Sequence, residues 1–180
     1  YGDIRACAGI VGYADLLLGD DVQRVLDAQV AAGNGRLRGI RNSSARHDTD
    51  PSIRSMPQVP PKDLLLDSKF REGIARLAAM GLTFDAWLYH VQIKDLISLA
   101  DAFPDTKFIL DHVGGIIGVG IHTGKRKEDF PGWTADIQAL AARPNTYVKL
   151  GGLSMHNAGF GFRQRVAPPA SIELAQLWKP

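Results

Sequence analysis

Acidic and basic side chains stand directly after short apolar segments of this sequence. Asp111 and His112 follow the apolar run at residues 108–110, which Lys107 precedes, and Gly114 and Gly115 come shortly after them. A short apolar run of this kind is typical of a buried strand in a parallel sheet. In α/β folds, ligands and catalytic groups collect where such strands end. Asp111 and His112 are therefore candidate catalytic residues, although an Asp–His pair that only closes a turn would give the same pattern.

Other predicted strand ends carry groups of the same kind. Tyr89 and His90 close one apolar run, Lys149 closes another, and Arg41 stands at the end of a third. Successive parallel strands present their carboxyl ends on one side of a sheet, so we expect these groups on one rim. The histidines could transfer protons or bind a divalent metal. Arg41 and Lys149, with Tyr89 beside them, are candidates for holding a substrate carboxylate or phosphate.

Each of these residues also has a purely structural interpretation. Arg41 could form an ion pair with Asp111, roughly as readily as it binds a substrate. Lys149 could extend along the sheet edge into solvent. His90 could cap the helix that comes after it or bind a backbone carbonyl.

The remaining histidines are predicted to lie in loops. His122 belongs to a stretch rich in glycine and charge that includes the basic run at residues 125–127, and a solvated loop is expected there. His47 and His156 also fall in predicted loops. Two acidic residues come directly after the basic run, which argues against nucleic-acid binding.

Predicted strands and helices alternate along the chain. Strands are predicted at residues 6–12, 37–41, 82–89, 107–110 and 146–150. Helical spacing of apolar residues is present at 22–33, 70–81, 93–103 and 133–141, and a last helix begins at Ser171. Residues 42–69 carry four prolines and are predicted to form a long loop, a length that is usually functional. The alternation predicts an α/β fold with a mainly parallel sheet and right-handed crossovers.

The composition is that of a globular protein and excludes several partners. The chain has 180 residues, 45% hydrophobic and 22% charged, which fits a single domain over residues 1–180. A formal charge of +2 is too balanced to indicate a nucleic-acid or membrane-surface partner. No apolar run approaches the roughly 20 residues that span a bilayer. The single cysteine, Cys7, excludes an intrachain disulfide and suggests a reducing compartment, so a cytoplasmic location is expected.

Three segments resemble the amidohydrolase-related family of TIM-barrel hydrolases, the amidohydrolase 2 group. They read GLTFDAWLYHVQIKDLISLADAFPDTKFILDHVGG, GVGIHTGKRKEDFPGW and NTYVKLGGLSM, and the resemblance runs from Ala8 to Phe162. LDHVGG and VKLGGL, in that order and spacing, are fairly specific to this family. The family includes sugar and pyrone-dicarboxylate lactonases and a zinc-dependent carboxymuconate-semialdehyde decarboxylase. The resemblance implies a (β/α)8 barrel with its site at the carboxyl ends of the strands.

The resemblance also implies roles for individual residues. His112 matches the family histidine that binds the metal or the substrate, so a divalent metal, zinc in some members, is the implied cofactor. Arg41 and Lys149 fall at strand ends that line the pocket, and His90 falls at another. Two family features are absent from these residues: the paired His-x-His of the first strand and the acidic residue of the last strand.

Five strands are predicted in this chain, whereas the barrels of the family have eight strands and need about 250 residues. The chain is therefore expected to be an internal part of a longer protein, a partial barrel of about five βα units without the first and last strands. The expected activity is hydrolysis of a lactone or amide in a small anionic substrate by metal- or histidine-assisted attack of water. A related decarboxylase, a non-catalytic domain that binds a small anion, and an assembly protein, with homo-oligomers included, remain alternatives.

Overall fold

The computed structural model describes residue 2 and residues 6–179, and its centre is one parallel sheet. A single domain is expected over residues 1–180, and residues 1, 3–5 and 180 lie outside the described part of it. The five strands are β1 (Ile10–Gly12), β2 (Leu37–Ser43), β3 (Thr83–Trp87), β4 (Phe108–Leu110) and β5 (Thr146–Val148). They pair in chain order, and every pair is parallel. This is the strand order of a barrel wall, as predicted.

A helix stands in each connection between consecutive strands. The helices are α1 (Val22–Gly33), α2 (Ser68–Ala79), α3 (Ile93–Ala102), the short irregular turn α4 (His112–Gly115), α5 (Arg126–Ala141) and, after β5, α6 (Ser171–Leu177). Single 3-10 turns lie at Leu16–Asp21, Leu64–Leu66, His90–Gln92, Gly120–His122, His156–Ala158 and Phe162–Gln164. No helix among the described residues is both long enough and apolar enough to cross a bilayer.

The two faces of the sheet differ in chemistry because side chains alternate along each strand. Ile40, Phe84 and Phe108 lie on the face that packs against the helices, where they are fully buried. Phe84 contacts Phe70 of α2 and Phe108 edge to face, with ring centroids 5.8 and 6.0 Å apart. The main apolar core therefore lies between the sheet and the helices. The opposite face carries charged groups and, at the end of β3, a smaller buried apolar cluster that includes Trp87 and Tyr89.

Several element boundaries differ from the predicted ones. β1 begins at Ile10 rather than at residue 6, and β5 ends at Val148 rather than at residue 150. β2 continues to Ser43, so Arg41 lies inside that strand rather than at its end. α5 begins at Arg126, seven residues before the predicted start, and it contains Pro131. Two acidic residues in its first turn favour the helix there, because they oppose the positive end of the helix dipole.

Candidate functional site

Four charged side chains form one chain of ion pairs on the face of the sheet away from the helices. The ammonium of Lys149 contacts the carboxylate of Asp85 and lies 2.9 Å from Asp111 Oδ1. Arg41 Nε lies 3.1 Å from the other oxygen of Asp111, Oδ2. Arg41 and Asp85 are in register on β2 and β3, and Asp111 and Lys149 directly follow β4 and β5. The structure thus brings together three residues that the sequence singled out, Arg41, Asp111 and Lys149, and adds Asp85.

The two acids of this chain are buried, and the two cations are not. Asp85 is 2% exposed and Asp111 is 0% exposed, whereas the side chains of Arg41 and Lys149 are each 44% exposed. Neither oxygen of Asp111 has a well-aligned hydrogen bond among the described residues, so it is held by charge. Burial disfavours the charged form of Lys149, but its contacts with Asp85 and Asp111 outweigh burial and raise its pKa. Lys149 is therefore a fixed cation and not a base.

A cavity opens beside Arg41. Its volume is about 620 Å³, and it is bounded by the ends of β1 and β2 and by the long loop between β2 and α2. Arg41, Asn42 and Tyr13 contribute to its wall, together with Met56 and Trp87. Within the described part of the chain, the side chain of Arg41 forms an ion pair with Asp111 and contacts no other acid. Its guanidinium is thus available to an anionic group in this cavity.

His112 stands at the end of β4 in a constrained backbone. It has a φ of 54°, in the left-handed region, and the next residue, Val113, has a φ of 51°. The ring of His112 meets the ring of Trp87 edge to face at 5.2 Å and lies against Gly152, where any Cβ would collide with it. The amide of Val113 donates to the carbonyl of Lys149 at 3.2 Å, which ties the ends of β4 and β5 together.

Tyr89, expected to contact substrate, is instead a core residue. It is fully buried and packs with Trp87 and Ile117. Its hydroxyl accepts a hydrogen bond from Asn157 Nδ2 at 3.3 Å, and burial raises its pKa. Tyr89 offers no surface to a substrate in this structure because its side chain is fully buried.

His90 does not join His112. Its buried ring faces the ring of His122, with centroids 5.2 Å apart, and its Nδ1 accepts a hydrogen bond from the amide of Ile117 at 3.3 Å. Burial is the main cause that lowers the pKa of His90 to about 4, and the neighbouring imidazole of His122 acts in the same direction.

His90 belongs to a group that we call the histidine cluster: His47, His90, His122 and Asp129. His47 Nε2 lies 3.1 Å from His122 Nε2, and His122 Nδ1 lies 2.8 Å from Asp129 Oδ2. His122 is half-buried, so the expectation of a solvated loop is wrong for it. His47 lies in a loop, as predicted, and is also half-buried. His156, predicted to lie in a loop, is exposed at the start of the 3-10 turn His156–Ala158. No local pattern could have revealed the cluster, since its members come from separate segments of the chain.

Comparisons with known proteins agree with this architecture. The chain matches the amidohydrolase family over residues 3–177. It is 35% identical over 150 residues to the uncharacterized protein y4mH of Sinorhizobium fredii, a match that covers 83% of this chain and 46% of that protein. An amidohydrolase from Burkholderia multivorans has been solved with bound HEPES and with bound zinc. Those structures match with TM-scores of 0.66 and 0.64 at 23% identity, over 94% of this chain and 51% of theirs.

The chain spans about half the length of these relatives. Their fold agrees with the parallel sheet described above and confirms the prediction of a partial TIM barrel with about five βα units. The family match covers nearly the whole chain, including both segments, LDHVGG and VKLGGL, that carry the resemblance in the sequence. The chain belongs to the amidohydrolase family.

Proposed function

We propose that the protein hydrolyses a lactone or amide bond in a small anionic molecule bound at the carboxyl ends of the strands. The observation that carries this proposal is the ion-pair chain. It holds two partly exposed cations, Arg41 and Lys149, on two buried acids beside a cavity of about 620 Å³. Membership of the amidohydrolase family supports the reaction class. A cavity of this size suits a small molecule.

Arg41 binds the anionic group of the substrate in this proposal. Its Nε stays on Asp111, and the remaining guanidinium nitrogens face a ligand. Lys149 supplies a second positive charge at the rim and stabilises negative charge that develops on the attacked carbonyl oxygen.

His112 is the proposed proton carrier, because it is the titratable group at the end of β4 next to this rim. It accepts a proton from the attacking water and returns one to the leaving group. Asp111 was expected to be catalytic. Since it is fully buried between two cations, we assign it the role of positioning Arg41 and Lys149.

The family implies a divalent metal, and the surroundings of His112 do not fit one. The nearest acid, Asp111, already carries the positive charges of Arg41 and Lys149, which would repel a cation. The donor set that does fit lies in the histidine cluster. A bound metal would polarise a carbonyl or activate water, but the roles given above to this chain's residues do not depend on it.

The test is a panel of substrates with the protein that carries these 180 residues, expressed at its full length. Hydrolysis of sugar lactones and N-acyl carboxylates would be measured by proton release, and decarboxylation of β-keto acids would be measured by release of carbon dioxide. We expect the protein to hydrolyse at least one anionic lactone or amide. His112→Ala should abolish this activity and His156→Ala should retain it, and circular dichroism would show that both variants are folded. Carbon dioxide release alone would favour the related decarboxylase. Binding of an anionic ligand without any turnover would leave an anion-binding domain and contradict the proposal.

A cytoplasmic location and a homo-oligomeric state stay predictions from the sequence. Size-exclusion chromatography with light scattering would measure the oligomeric state directly.

A further inference from the structure

The histidine cluster is assembled by the fold from distant parts of the chain. His47 lies in the long loop after β2, His90 comes after β3, His122 lies between β4 and α5, and Asp129 is in the first turn of α5. The cluster is separate from the ion-pair chain, because none of its members contacts Arg41, Asp111 or Lys149 among the described residues. The proposed hydrolysis does not use it.

The donor atoms of three members lie close enough to share one ion. One ligand atom from each of His90, His122 and Asp129 lies within 4.8 Å of the other two. Zinc ligands sit about 2.0–2.2 Å from the ion, so neighbouring ligand atoms in a tetrahedral site are about 3.3 Å apart. His122 Nδ1 and Asp129 Oδ2 are already closer than that, at 2.8 Å. Small rotations of the His90 ring therefore complete a three-ligand set.

The ligand types are those of a metal site with an open position. Two imidazoles and one carboxylate are the protein ligands of a known class of zinc enzymes, in which water or substrate takes the fourth position. A cavity of about 460 Å³ lies next to His90 and Asp129 and is lined by Phe130 and Trp133. An ion held by these ligands would therefore be reachable from a mainly apolar pocket.

The hydrogen bonds of His47 show how the cluster is held without an ion. The amide of Asp50 donates to His47 Nδ1 at 3.1 Å, so neutral His47 carries its hydrogen on Nε2 and donates it to His122 Nε2. His122 then carries its own hydrogen on Nδ1 and donates it to Asp129. The ring N–H of each of these two histidines therefore has an acceptor: His122 Nε2 for His47, and Asp129 Oδ2 for His122.

We propose that His90, His122 and Asp129 bind one divalent transition-metal ion of the Zn²⁺ type, and that His47 positions His122. The ion takes the place of the hydrogen between His122 Nδ1 and Asp129. The hydrogen of His122 moves to its Nε2, and His47 becomes its acceptor after shifting its own hydrogen to Nδ1. The hydrogen bond from the Asp50 amide to His47 Nδ1 is lost in this arrangement. In return, the ring nitrogen of His122 that does not bind the ion donates a hydrogen bond to His47, as the second nitrogen of a metal-bound imidazole ordinarily does to a neighbouring group.

The contact that opposes rotation of His90 is weak. The amide of Ile117 donates to His90 Nδ1 over 3.3 Å, which is long for a hydrogen bond between nitrogen atoms in a buried site. Breaking this hydrogen bond costs less free energy than breaking one of the shorter contacts in the cluster. The site differs from the one that the family resemblance implies, which centres on His112.

The test is titration of the chelator-treated 180-residue chain with Co²⁺, monitored by its visible absorption, and with Zn²⁺ by calorimetry. We expect one ion per chain, with the strong visible bands of low-coordinate Co²⁺. His47→Leu should weaken binding by about 10–100-fold, and His47→Gln by less, since the glutamine oxygen can still accept from His122. His122→Phe and Asp129→Asn should weaken it more than His47→Leu does.

His112→Ala and His156→Ala serve as matched histidine controls and should bind Co²⁺ like the unchanged protein. Thermal unfolding of each variant without metal identifies any variant that fails to fold. If His122→Phe misfolds, Asp129→Asn still tests the site, because it keeps the size of the side chain. Absence of Co²⁺ binding, or binding that is lost in His112→Ala and kept in Asp129→Asn, would overturn the proposal. Because binding is read without substrate, this result is independent of the hydrolysis test.

Discussion

The charged residues at the rim hold one another in the fold, and two of them, Arg41 and Lys149, are the proposed anion-binding groups. Burying Asp85 and Asp111 is costly unless each is paired, and removing one partner from a buried pair costs about 3–5 kcal/mol. Lys149 contacts both acids, and Arg41 adds a second contact to Asp111. Asp111 thus keeps one partner if Arg41 is lost, so Arg41 contributes less to folding than Lys149 does.

Arg41→Met is expected to raise KM for an anionic substrate with little change in kcat. A hydrogen bond to a charged group contributes about 1.5–3 kcal/mol, which corresponds to a KM about 10–150-fold higher. The loss of Tm should be smaller than on removal of Lys149, because Lys149 still contacts Asp111 after Arg41 is removed. Steady-state kinetics and thermal unfolding would be compared with Arg38→Met on the same strand, since Arg38 donates only to backbone carbonyls among the described residues. A large loss of Tm with unchanged KM would make Arg41 a structural ion pair.

At the scale of elements, the turn after β4 and the turn after β5 hold each other in place. His112 and Val113 both adopt positive φ, which is unfavourable for residues with a Cβ. Gly152, after β5, gives the space that the ring of His112 fills. The position of His112 is therefore set by two turns that are about forty residues apart in the sequence.

Gly152→Ala should displace His112 and destabilise the protein. Gly152 has a φ of 77°, and an added Cβ would collide with the ring of His112. A side chain in this backbone region costs about 1–3 kcal/mol. Urea unfolding and turnover would be measured beside Gly151→Ala, where a Cβ meets no atom within 4 Å and φ is not positive. Equal behaviour of the two variants would show that the turn does not position His112.

An ion pair between the last turn of α3 and the turn that follows α5 should make stability depend on acid pH. Arg143 contacts Asp101 with two nitrogens, each 2.9 Å from a carboxylate oxygen. The hydrogen bond from Arg143 holds the pKa of Asp101 below its usual value of 3.8. This contribution is present above pH 3.8 and is lost as the pH falls through the lowered pKa of the folded state.

Asp101→Asn should therefore lower the urea midpoint at pH 6 and have no effect below the lowered pKa of Asp101. Asp105→Asn is the control, because Asp105 forms no ion pair among the described residues. An Asp101→Asn difference that persists unchanged in acid would mean that charge is not its cause.

At the scale of the whole molecule, the two faces of the sheet divide the tasks. The helix-covered face is apolar and supplies the core, and the other face supplies the charged groups of the proposed site. Because the main core lies on one face and the proposed site on the other, substitutions on the two faces should have different effects.

Phe84→Ala should destabilise the protein by about 3–5 kcal/mol, the usual cost of removing a buried phenylalanine. Phe84 is fully buried between Phe70 and Phe108. Tyr147→Ala on the other face removes a side chain that is 50% exposed and should cost less than about 1 kcal/mol. Chemical denaturation of both variants would measure the difference. Comparable losses would mean that the open face also carries part of the core.

The sequence determined the strands, their parallel order and the family, because these depend on local apolar runs and on short motifs. It also identified Arg41, Asp111 and Lys149, since each stands at or near the end of a predicted strand. Local patterns establish the order of the elements along the chain, and parallel strands convert that order directly into position along one rim.

Only the tertiary structure decided which side chains meet across that rim and away from it. Asp85 lies within a strand and gave no signal, and Tyr89 was turned into the core. His47, His122 and Asp129 meet because the long loop after β2 folds against the segment that leads into α5, and loop paths are set by contacts between distant residues. The sequence carries no local periodicity for such contacts, which is why the histidine cluster emerged only from the folded chain.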